Sequence, residues 1–216
     1  MTTDLIVTLD GPSGTGKSTV SRLLARRLAI PYLDTGAFYR AATLAALAAG
    51  ADLSDAEDVG RIVAEAEFSQ RGDRMILNGE DVSETIRSAE VTLHVSEVSA
   101  HPSVRALLVG HQRAWLDANG RQAVVEGRDI GSVVFPNASH KIYLDARPEV
   151  RAARRADQVG DKDTTEVLAD IQRRDHLDST RAASPLTIPD DAIVLDTSDL
   201  DIDQVVDRIV ALVADS

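Results

Sequence analysis

Leu5-Ile-Val-Thr-Leu-Asp10-Gly11-Pro-Ser-Gly-Thr-Gly16-Lys17-Ser18 stands near the start of the sequence and carries its most informative pattern. The apolar run at residues 5–9 predicts a buried strand, and the apolar periodicity from residue 18 to about residue 29 predicts a helix. Between them, residues 11–18 fit the pattern G-x-x-x-x-G-K-[ST] without exception. A glycine-rich loop between a strand and a helix predicts a site that binds phosphate groups.

Each part of this loop has a chemical role in binding phosphate. Glycines let successive backbone N–H groups point inward, the following helix adds its positive end, and Lys17 supplies a charge for the outer phosphates. The Ser18 hydroxyl is of the kind that ligates magnesium. The residues expected to contact the phosphates of ATP are Gly11, Pro12, Ser13, Gly14, Thr15, Gly16, Lys17, Ser18 and Thr19.

Several classes of protein share this loop, including GTPases, motors, small-metabolite kinases and nucleotide kinases. The N-K-x-D pattern with which GTPases read guanine does not occur in the sequence. A length of 216 residues also leaves no room for the additional machinery of a motor. Small-molecule kinases and nucleotide-binding modules without catalytic activity remain.

The composition narrows the range of partners. The formal net charge is -12, so we expect neither a nucleic acid partner nor attraction to an anionic membrane surface. Seven arginines lie between Arg147 and Arg181, and their planar guanidinium groups suit phosphate. The sequence has no cysteine, and no apolar run approaches the roughly 20 residues of a membrane span. We expect a cytoplasmic monomer.

Further apolar runs predict strands that alternate with helices. Residues 123–126, 141–145 and 192–196 read as buried strands. At residues 68–86 the Asn78-Gly79 turn signal predicts small antiparallel strands. The predicted fold class is therefore α/β, with a parallel core sheet covered by helices on both faces in three layers and an insert that contains a small antiparallel sheet.

Two local signals predict helix boundaries. Ser54 and Glu57 have the spacing of a capping box, which predicts a helix that reaches about residue 67. Pro102 predicts a break in the helical stretch from about residue 89 to residue 119.

Three polar clusters follow the phosphate loop along the chain. Asp34-Thr-Gly-Ala-Phe-Tyr39-Arg40 is predicted at a turn that enters a helix, and Glu126-Gly-Arg128-Asp129 follows a predicted strand, at the end where open α/β sheets bind ligands. In the third cluster, Arg173-Arg174-Asp-His-Leu-Asp178-Ser-Thr-Arg181, positions 174, 178 and 181 share one helical face if the helix persists. Each cluster alone is also compatible with a solvated charged surface.

Together with Asp10-Gly-Pro-Ser-Gly-Thr-Gly-Lys-Ser, Gly79-Glu-Asp-Val-Ser and Ile86-Arg87, these clusters resemble the bacterial cytidylate kinases, which are P-loop kinases of nucleoside monophosphates. The resemblance extends over nearly the whole chain. It implies a single domain, residues 1–216, with a core (1–33, 120–150 and 167–216), a monophosphate-binding region (34–119) with a small β insert (about 68–87), and a short lid (about 151–166).

The resemblance also implies a role for individual residues. The clamp on the phosphate of CMP is matched by Arg40, Arg128 and Arg181. The cytosine reader is matched by Ser96, Arg105 and Asp129, and the contacts to the sugar and nearby atoms by Thr35, Arg174 and Asp178, with Tyr39 in the same substrate set. The implied catalytic residues are Lys17, Arg128, Arg154, Arg155 and Arg181, of which Arg154 and Arg155 lie in the lid.

Two positions depart from the family pattern. Thr35 stands where some relatives have serine, and it keeps the hydroxyl. Glu126 stands where aspartate is common, and it is expected to act on magnesium through water. The chemistry of cytosine agrees with the implied reader, because its amine needs an acceptor such as Asp129 and its O2 and N3 need a donor such as Arg105. Uracil would turn an oxygen toward that carboxylate, which disfavours UMP.

The expected reaction transfers a phosphoryl group from ATP, with Mg2+, to CMP or dCMP and yields ADP with CDP or dCDP. One alternative is a kinase of another nucleoside monophosphate or small metabolite, such as a sugar acid, on the same scaffold. An alternative of another class is a non-catalytic module that binds a nucleotide and signals by loop ordering.

Overall fold

The computed structural model describes residues 4–160 and 163–214, with the backbone alone at residues 158 and 159. The chain divides into two units: one contains the residues up to Tyr32 and from Gly120 onward, and the other is Leu33–Asn119. None of the helices in the described ranges has both the length and the apolar character that a membrane span needs.

A five-stranded parallel sheet forms the centre of the first unit. Its strands, in spatial order, are β2 (Tyr32–Asp34), β6 (Gln122–Glu126), β1 (Leu5–Asp10), β7 (His140–Asp145) and β8 (Ile193–Asp196). Strand β1 pairs with β6 and β7 on its two sides. The helices of this unit are α1 (Lys17–Leu28), α6 (Pro148–Val159), α7 (Thr164–Thr180) and α8 (Ile202–Ala214), with a π-helix at Ile130–Val134.

Alternate residues of β1 face opposite sides of the sheet. Val7 and Leu9 pack in a core with α1 and α8. Thr8 and Asp10 face the π-helix, where Asp10 accepts hydrogen bonds from its backbone. Both sides of the strand are therefore buried, which explains why its sequence reads as a continuous apolar run. The predicted α/β fold with a parallel core sheet is confirmed.

Helices α6 and α7 pack against each other through small and branched apolar side chains. The shared cluster contains Ala152, Ala156, Val167 and Ile171. The lid predicted at about residues 151–166 falls on α6 and on the first turn of α7, and its residues 161 and 162 lie outside the described ranges.

The second unit combines helices with the small antiparallel sheet. Its elements are α2 (Thr35–Ala48), α3 (Ala56–Glu65), β3 (Phe68–Arg71), β4 (Arg74–Leu77), β5 (Glu80–Asp81), a 3-10 turn at Thr85–Arg87, α4 (Ala89–Val98) and α5 (Pro102–Ala118). Between β4 and β5, Asn78 and Gly79 have φ angles of 50° and 85°, as the predicted tight turn requires. The predicted antiparallel strands and the break before Pro102 are both confirmed.

The predicted capping box of Ser54 and Glu57 is wrong. Helix α3 is capped by Asp55, whose carboxylate accepts hydrogen bonds from the N–H groups of Glu57 at 2.9 Å and Asp58 at 3.2 Å. The Ser54 hydroxyl instead donates to Asp52 at 2.7 Å. Aspartate caps a helix as well as serine does, and here it stands one residue nearer to the first turn. The sequence also gives no signal for β2, because three residues show no periodicity.

Candidate active site

The phosphate loop, residues 11–18, is closely packed against its neighbours in the first unit. Gly11 and Gly14 have positive φ angles of 145° and 82°. A Cβ at Gly11 would collide with the carbonyl oxygen of Leu144, and one at Gly14 would lie 2.8 Å from that of Arg151. Both positions therefore require glycine, and the loop backbone lies directly against β7 and α6.

Lys17 is buried within the loop. Its Nζ donates to the carbonyl oxygen of Pro12 at 2.6 Å and contacts the Thr15 hydroxyl at 3.4 Å. Burial lowers the pKa of the Lys17 ammonium well below its usual range, and the charge of Arg128 acts in the same direction, whereas Glu126 and Asp10 oppose the shift. An anion at the loop would favour the charged form of this lysine.

Arg128 follows β6 and contacts the phosphate loop. Its Nη2 donates to the Ser13 hydroxyl at 3.0 Å, and its Nε donates to Asp178 at 3.0 Å. Burial alone would lower the pKa of this guanidinium, but the charge and hydrogen bond of Asp178 raise it above its usual value. Arg128 thus remains a cation beside the loop.

A cluster of alternating charges continues from Arg128 along the end of α7. Arg181 lies 3.7 Å from Asp178 and 3.5 Å from Asp129, and all three side chains are buried. Burial lowers the pKa of Arg174, the positive charge of Arg128 adds to that effect, and Asp178 opposes it. Helix α7 ends at Thr180, so Arg181 contacts Asp178 from the position directly after the helix. The structure therefore brings together five residues predicted from the sequence, Arg128, Asp129, Arg174, Asp178 and Arg181.

Asp10 is a buried carboxylate that the sequence does not assign to the site. It accepts hydrogen bonds from the N–H groups of Ile130 at 2.9 Å and Gly131 at 2.8 Å. Burial raises the pKa of Asp10 to about 6, although the two hydrogen bonds act in the opposite direction. The carboxylate fixes the chain directly after Arg128 and Asp129. A polar residue at the end of an apolar strand is the signal that could have identified it.

Ser18 and Glu126 are the residues predicted to act on magnesium. Ser18 lies in the first turn of α1, directly after Lys17. Glu126 is buried at the carboxyl end of β6, and its Oε1 accepts a hydrogen bond from the Tyr32 hydroxyl at 2.6 Å. A hydroxyl and a carboxylate are the hard oxygen donors that Mg2+ prefers, so the residues present fit this ion.

Arg154 and Arg155 lie on α6. Arg154 donates to the carbonyl oxygen of Thr197 at 2.6 Å, to the Thr197 hydroxyl at 3.0 Å and to the carbonyl oxygen of Thr15 in the phosphate loop at 3.5 Å. Arg155 is half-buried on the same helix. Arg154 is thus already in contact with the loop.

In the second unit, the predicted substrate residues lie on α2, α4 and α5. Arg40 donates to the Thr92 hydroxyl at 2.9 Å and to the carbonyl oxygen of Ile86 at 3.4 Å. Arg105 lies over the ring of Tyr39, with 5.0 Å between the guanidinium carbon and the ring centre. Arg105 also donates to the carbonyl oxygen of Ser99 at 3.2 Å.

The two remaining predicted residues of this unit are also buried. Thr35 is the first residue of α2 and follows its cap, Asp34, whose carboxylate accepts a hydrogen bond from the N–H of Ala37 at 3.0 Å. Ser96 is linked to Ser99, whose hydroxyl donates to its carbonyl oxygen at 3.1 Å. This places Ser96 close to Arg105 through a shared neighbour, Ser99.

The parallel sheet, the glycine-rich loop after its central strand and the cations around that loop define a P-loop phosphotransferase. The family model of cytidylate kinase matches residues 7–215. The chain belongs to the cytidylate kinase family.

Individual relatives agree with this assignment. The chain is 53% identical to a cytidylate kinase from Rhodococcus opacus, over 99% of this chain and 96% of the relative. It is also 53% identical to a cytidylate kinase from Mycobacterium leprae, over 98% and 96%. Among solved structures, an uncharacterized protein from Eubacterium ventriosum superimposes with a TM-score of 0.56 at 11% identity, over 98% of this chain and 99% of that one, and shows the same fold.

Proposed function

We propose that this protein transfers the terminal phosphoryl group of ATP to CMP, and also to dCMP, and releases ADP with CDP or dCDP. The observation that carries the proposal is the contact of Arg128 with Ser13, because it joins a cation of the predicted acceptor clamp to the phosphate loop itself. Near-complete coverage of cytidylate kinases at 53% identity supports the choice of acceptor.

On the donor side, the N–H groups of the phosphate loop and Lys17 would hold the ATP phosphates. Ser18 would ligate Mg2+ directly, and Glu126 would act through its water shell. Magnesium supplies positive charge that neutralises the phosphoryl group during transfer. The transfer itself needs no nucleophilic side chain, since its transition state is loose and is stabilised by position and by cations.

On the acceptor side, Arg128 and Arg181 would hold the phosphate of CMP in line with the ATP terminus, and we assign Arg40 to the same phosphate from the family resemblance. Asp129 and Ser96 would accept the hydrogen bonds of the cytosine amine, and Arg105 would donate to its O2 and N3. Thr35, Arg174 and Asp178 would contact the sugar, with Tyr39 beneath Arg105.

Arg154 and Arg155 would approach the transferred phosphoryl group when the lid, about residues 151–166, closes over ATP. Such closure would exclude water, which would otherwise hydrolyse ATP. The proposal also includes a single domain, as the family resemblance implies, that acts as a monomer in the cytoplasm.

A panel of acceptors tests the proposed reaction. Purified protein with ATP and Mg2+ is assayed for ADP release with CMP, dCMP, UMP, AMP and GMP. We expect CMP and dCMP to be the preferred acceptors. Preference for another monophosphate or for a sugar acid would support the neighbouring kinase function, and ATP binding without transfer to any acceptor would support a non-catalytic module.

The Asp129→Ala variant tests the base reader within the same panel. We expect its preference for CMP over UMP, as a ratio of kcat/KM, to fall by about tenfold, because one hydrogen bond and one repulsion are lost. Asp170→Ala, on the exposed side of α7, is the matched control and should keep the wild-type ratio. An unchanged ratio in Asp129→Ala would remove this residue from the reader.

A further inference from the structure

Two residues without an assigned role hold the backbone of Ser13 in the phosphate loop. The Ser13 N–H donates to Asp175 Oδ1 at 2.9 Å, and the Ser13 carbonyl oxygen accepts from Arg151 Nη1 at 3.0 Å. Arg151 and Asp175 also form a direct ion pair. The two hydrogen bonds and the ion pair form a closed ring that runs from the Ser13 N–H through Asp175 and Arg151 to the Ser13 carbonyl oxygen.

The two side chains of the ring are largely buried. The Arg151 side chain is buried, and its Nε donates to the carbonyl oxygen of Ala146 at 3.0 Å. The side chain of Asp175 is 18% exposed. A buried guanidinium needs an ionic or hydrogen-bonding partner, and Asp175 supplies it. The pair adds no net charge to a loop that has to accept an anion.

The two side chains come from different helices that pack against each other. Arg151 lies on α6 and Asp175 on α7, and these helices share the apolar cluster around Ala156 and Ile171. The ring therefore fixes the loop backbone to both helices at once, just before the residues whose N–H groups face the predicted phosphates.

We infer that Asp175 and Arg151 are positioning residues for the phosphoryl donor, which set the direction of the phosphate loop at Ser13. The inference rests on the proposed use of ATP and adds two residues that act on ATP through the loop backbone. Ser13 also has a separate contact, from its hydroxyl to Arg128, which points toward the acceptor. The backbone of Ser13 would thus help to position ATP, whereas its hydroxyl would contact the arginine proposed to bind CMP.

The test measures nucleotide binding without any acceptor, by calorimetric titration with ADP, together with KM for ATP and for CMP. Asp175→Ala should weaken ADP binding and raise the KM for ATP by about tenfold, since a charge-assisted hydrogen bond is lost. The KM for CMP should change by less than about twofold. Asp175→Asn should recover part of the loss, because its amide oxygen still accepts from the Ser13 N–H.

Four further variants make the test specific. Arg151→Met should weaken ADP binding about as much as Asp175→Ala, and the double variant should lose little more than either, because both break one ring. Ser13→Ala keeps the ring and loses the hydroxyl, so it should raise the KM for CMP more than that for ATP. Asp170→Asn, exposed on α7, should match the wild type in every measurement.

Equal increases in both KM values for Asp175→Ala would overturn the inference, as would unchanged ADP binding or an asparagine variant no better than alanine. If circular dichroism shows that Asp175→Ala does not fold, ADP binding by Asp175→Asn decides the test. We expect the affinity of Asp175→Asn for ADP to be about threefold below that of the wild type. If the wild-type protein binds ADP but does not phosphorylate CMP, the proposed acceptor is wrong. ADP binding by the variants then still tests the positioning role of Asp175 and Arg151.

Discussion

The arginines predicted to bind CMP have different neighbours in the two units. In the unit with the phosphate loop, Arg128 and Arg181 lie against buried carboxylates. In Leu33–Asn119, Arg40 donates to a hydroxyl and a backbone carbonyl, and Arg105 lies over a tyrosine ring. Removing one member of a buried ion pair leaves an unpaired charge behind, which costs about 3 kcal/mol or more. Substitutions in the first unit should therefore affect stability as well as catalysis.

The largest effect is expected for Lys17→Ala. Transfer to CMP should fall by about 10⁴-fold in kcat, because the loop loses the cation that we propose to stabilise the transferred phosphoryl group. Steady-state ADP release measures the loss, and circular dichroism checks the fold. Arg27→Ala, on the exposed side of the same helix, is the control and should retain wild-type turnover. Turnover near the wild-type value in Lys17→Ala would refute its role.

Arg181→Ala sharpens the contrast between the units. We expect kcat/KM for CMP to fall by about 10³-fold, and the free energy of unfolding to fall by about 3 kcal/mol because Asp129 and Asp178 stay buried. The KM for ATP should change far less. Arg173→Ala, exposed on the same helix, should change neither quantity. An effect confined to ATP would move Arg181 to the donor side.

The buried carboxylate of Asp10 should give the first unit a pH-dependent stability. The pKa of Asp10 in the folded protein is about 6, above the ordinary value of 3.8, so the folded state binds this proton more tightly than the unfolded state. Its contribution to stability is complete at about pH 4 and is lost as the pH rises to about 6. The difference in unfolding free energy between wild type and Asp10→Asn should therefore decrease by about 2 kcal/mol from pH 4 to pH 7.

Urea unfolding at several pH values measures this difference. Asp34→Asn in the second unit provides a comparison, because the Asp34 carboxylate caps helix α2 and is only partly buried. A difference for Asp10→Asn that stays constant with pH would show that the carboxylate keeps its ordinary pKa.

The smallest effect is expected in the second unit, for Gln70→Ala. Gln70 Oε1 accepts a hydrogen bond from the N–H of Asp34 at 2.9 Å and so fixes the start of the helix that carries Arg40. Loss of this neutral hydrogen bond should raise the KM for CMP about fivefold and leave kcat nearly unchanged. Gln70→Glu keeps the acceptor but loses the amide donor to the carbonyl oxygen of Gly72, so it should recover only part of the affinity. Arg74→Ala, exposed on β4, is the control, and equal KM values in Gln70→Ala and wild type would exclude this positioning role.

Local patterns predict much of this molecule. The phosphate loop can be predicted because all its residues are contiguous, and the β4–β5 turn because Asn78 and Gly79 tolerate positive φ. The sequence predicts Ser54 rather than Asp55 as the cap of α3, because serine and aspartate are both good caps and stand at neighbouring positions. Contacts such as Asp175 with Ser13 are beyond sequence reasoning, since 162 residues separate the partners and only the folded sheet brings them together.

The lowered pKa of Lys17 has a practical consequence. A larger share of this amine is uncharged at neutral pH than of an ordinary lysine, and only the uncharged amine reacts as a nucleophile. The sequence contains only two other lysines, Lys141 and Lys162, and Lys141 is held by Asp191 at 2.7 Å. We therefore expect an amine-directed reagent small enough to enter the loop to label Lys17, and we expect bound ATP to reduce that labelling.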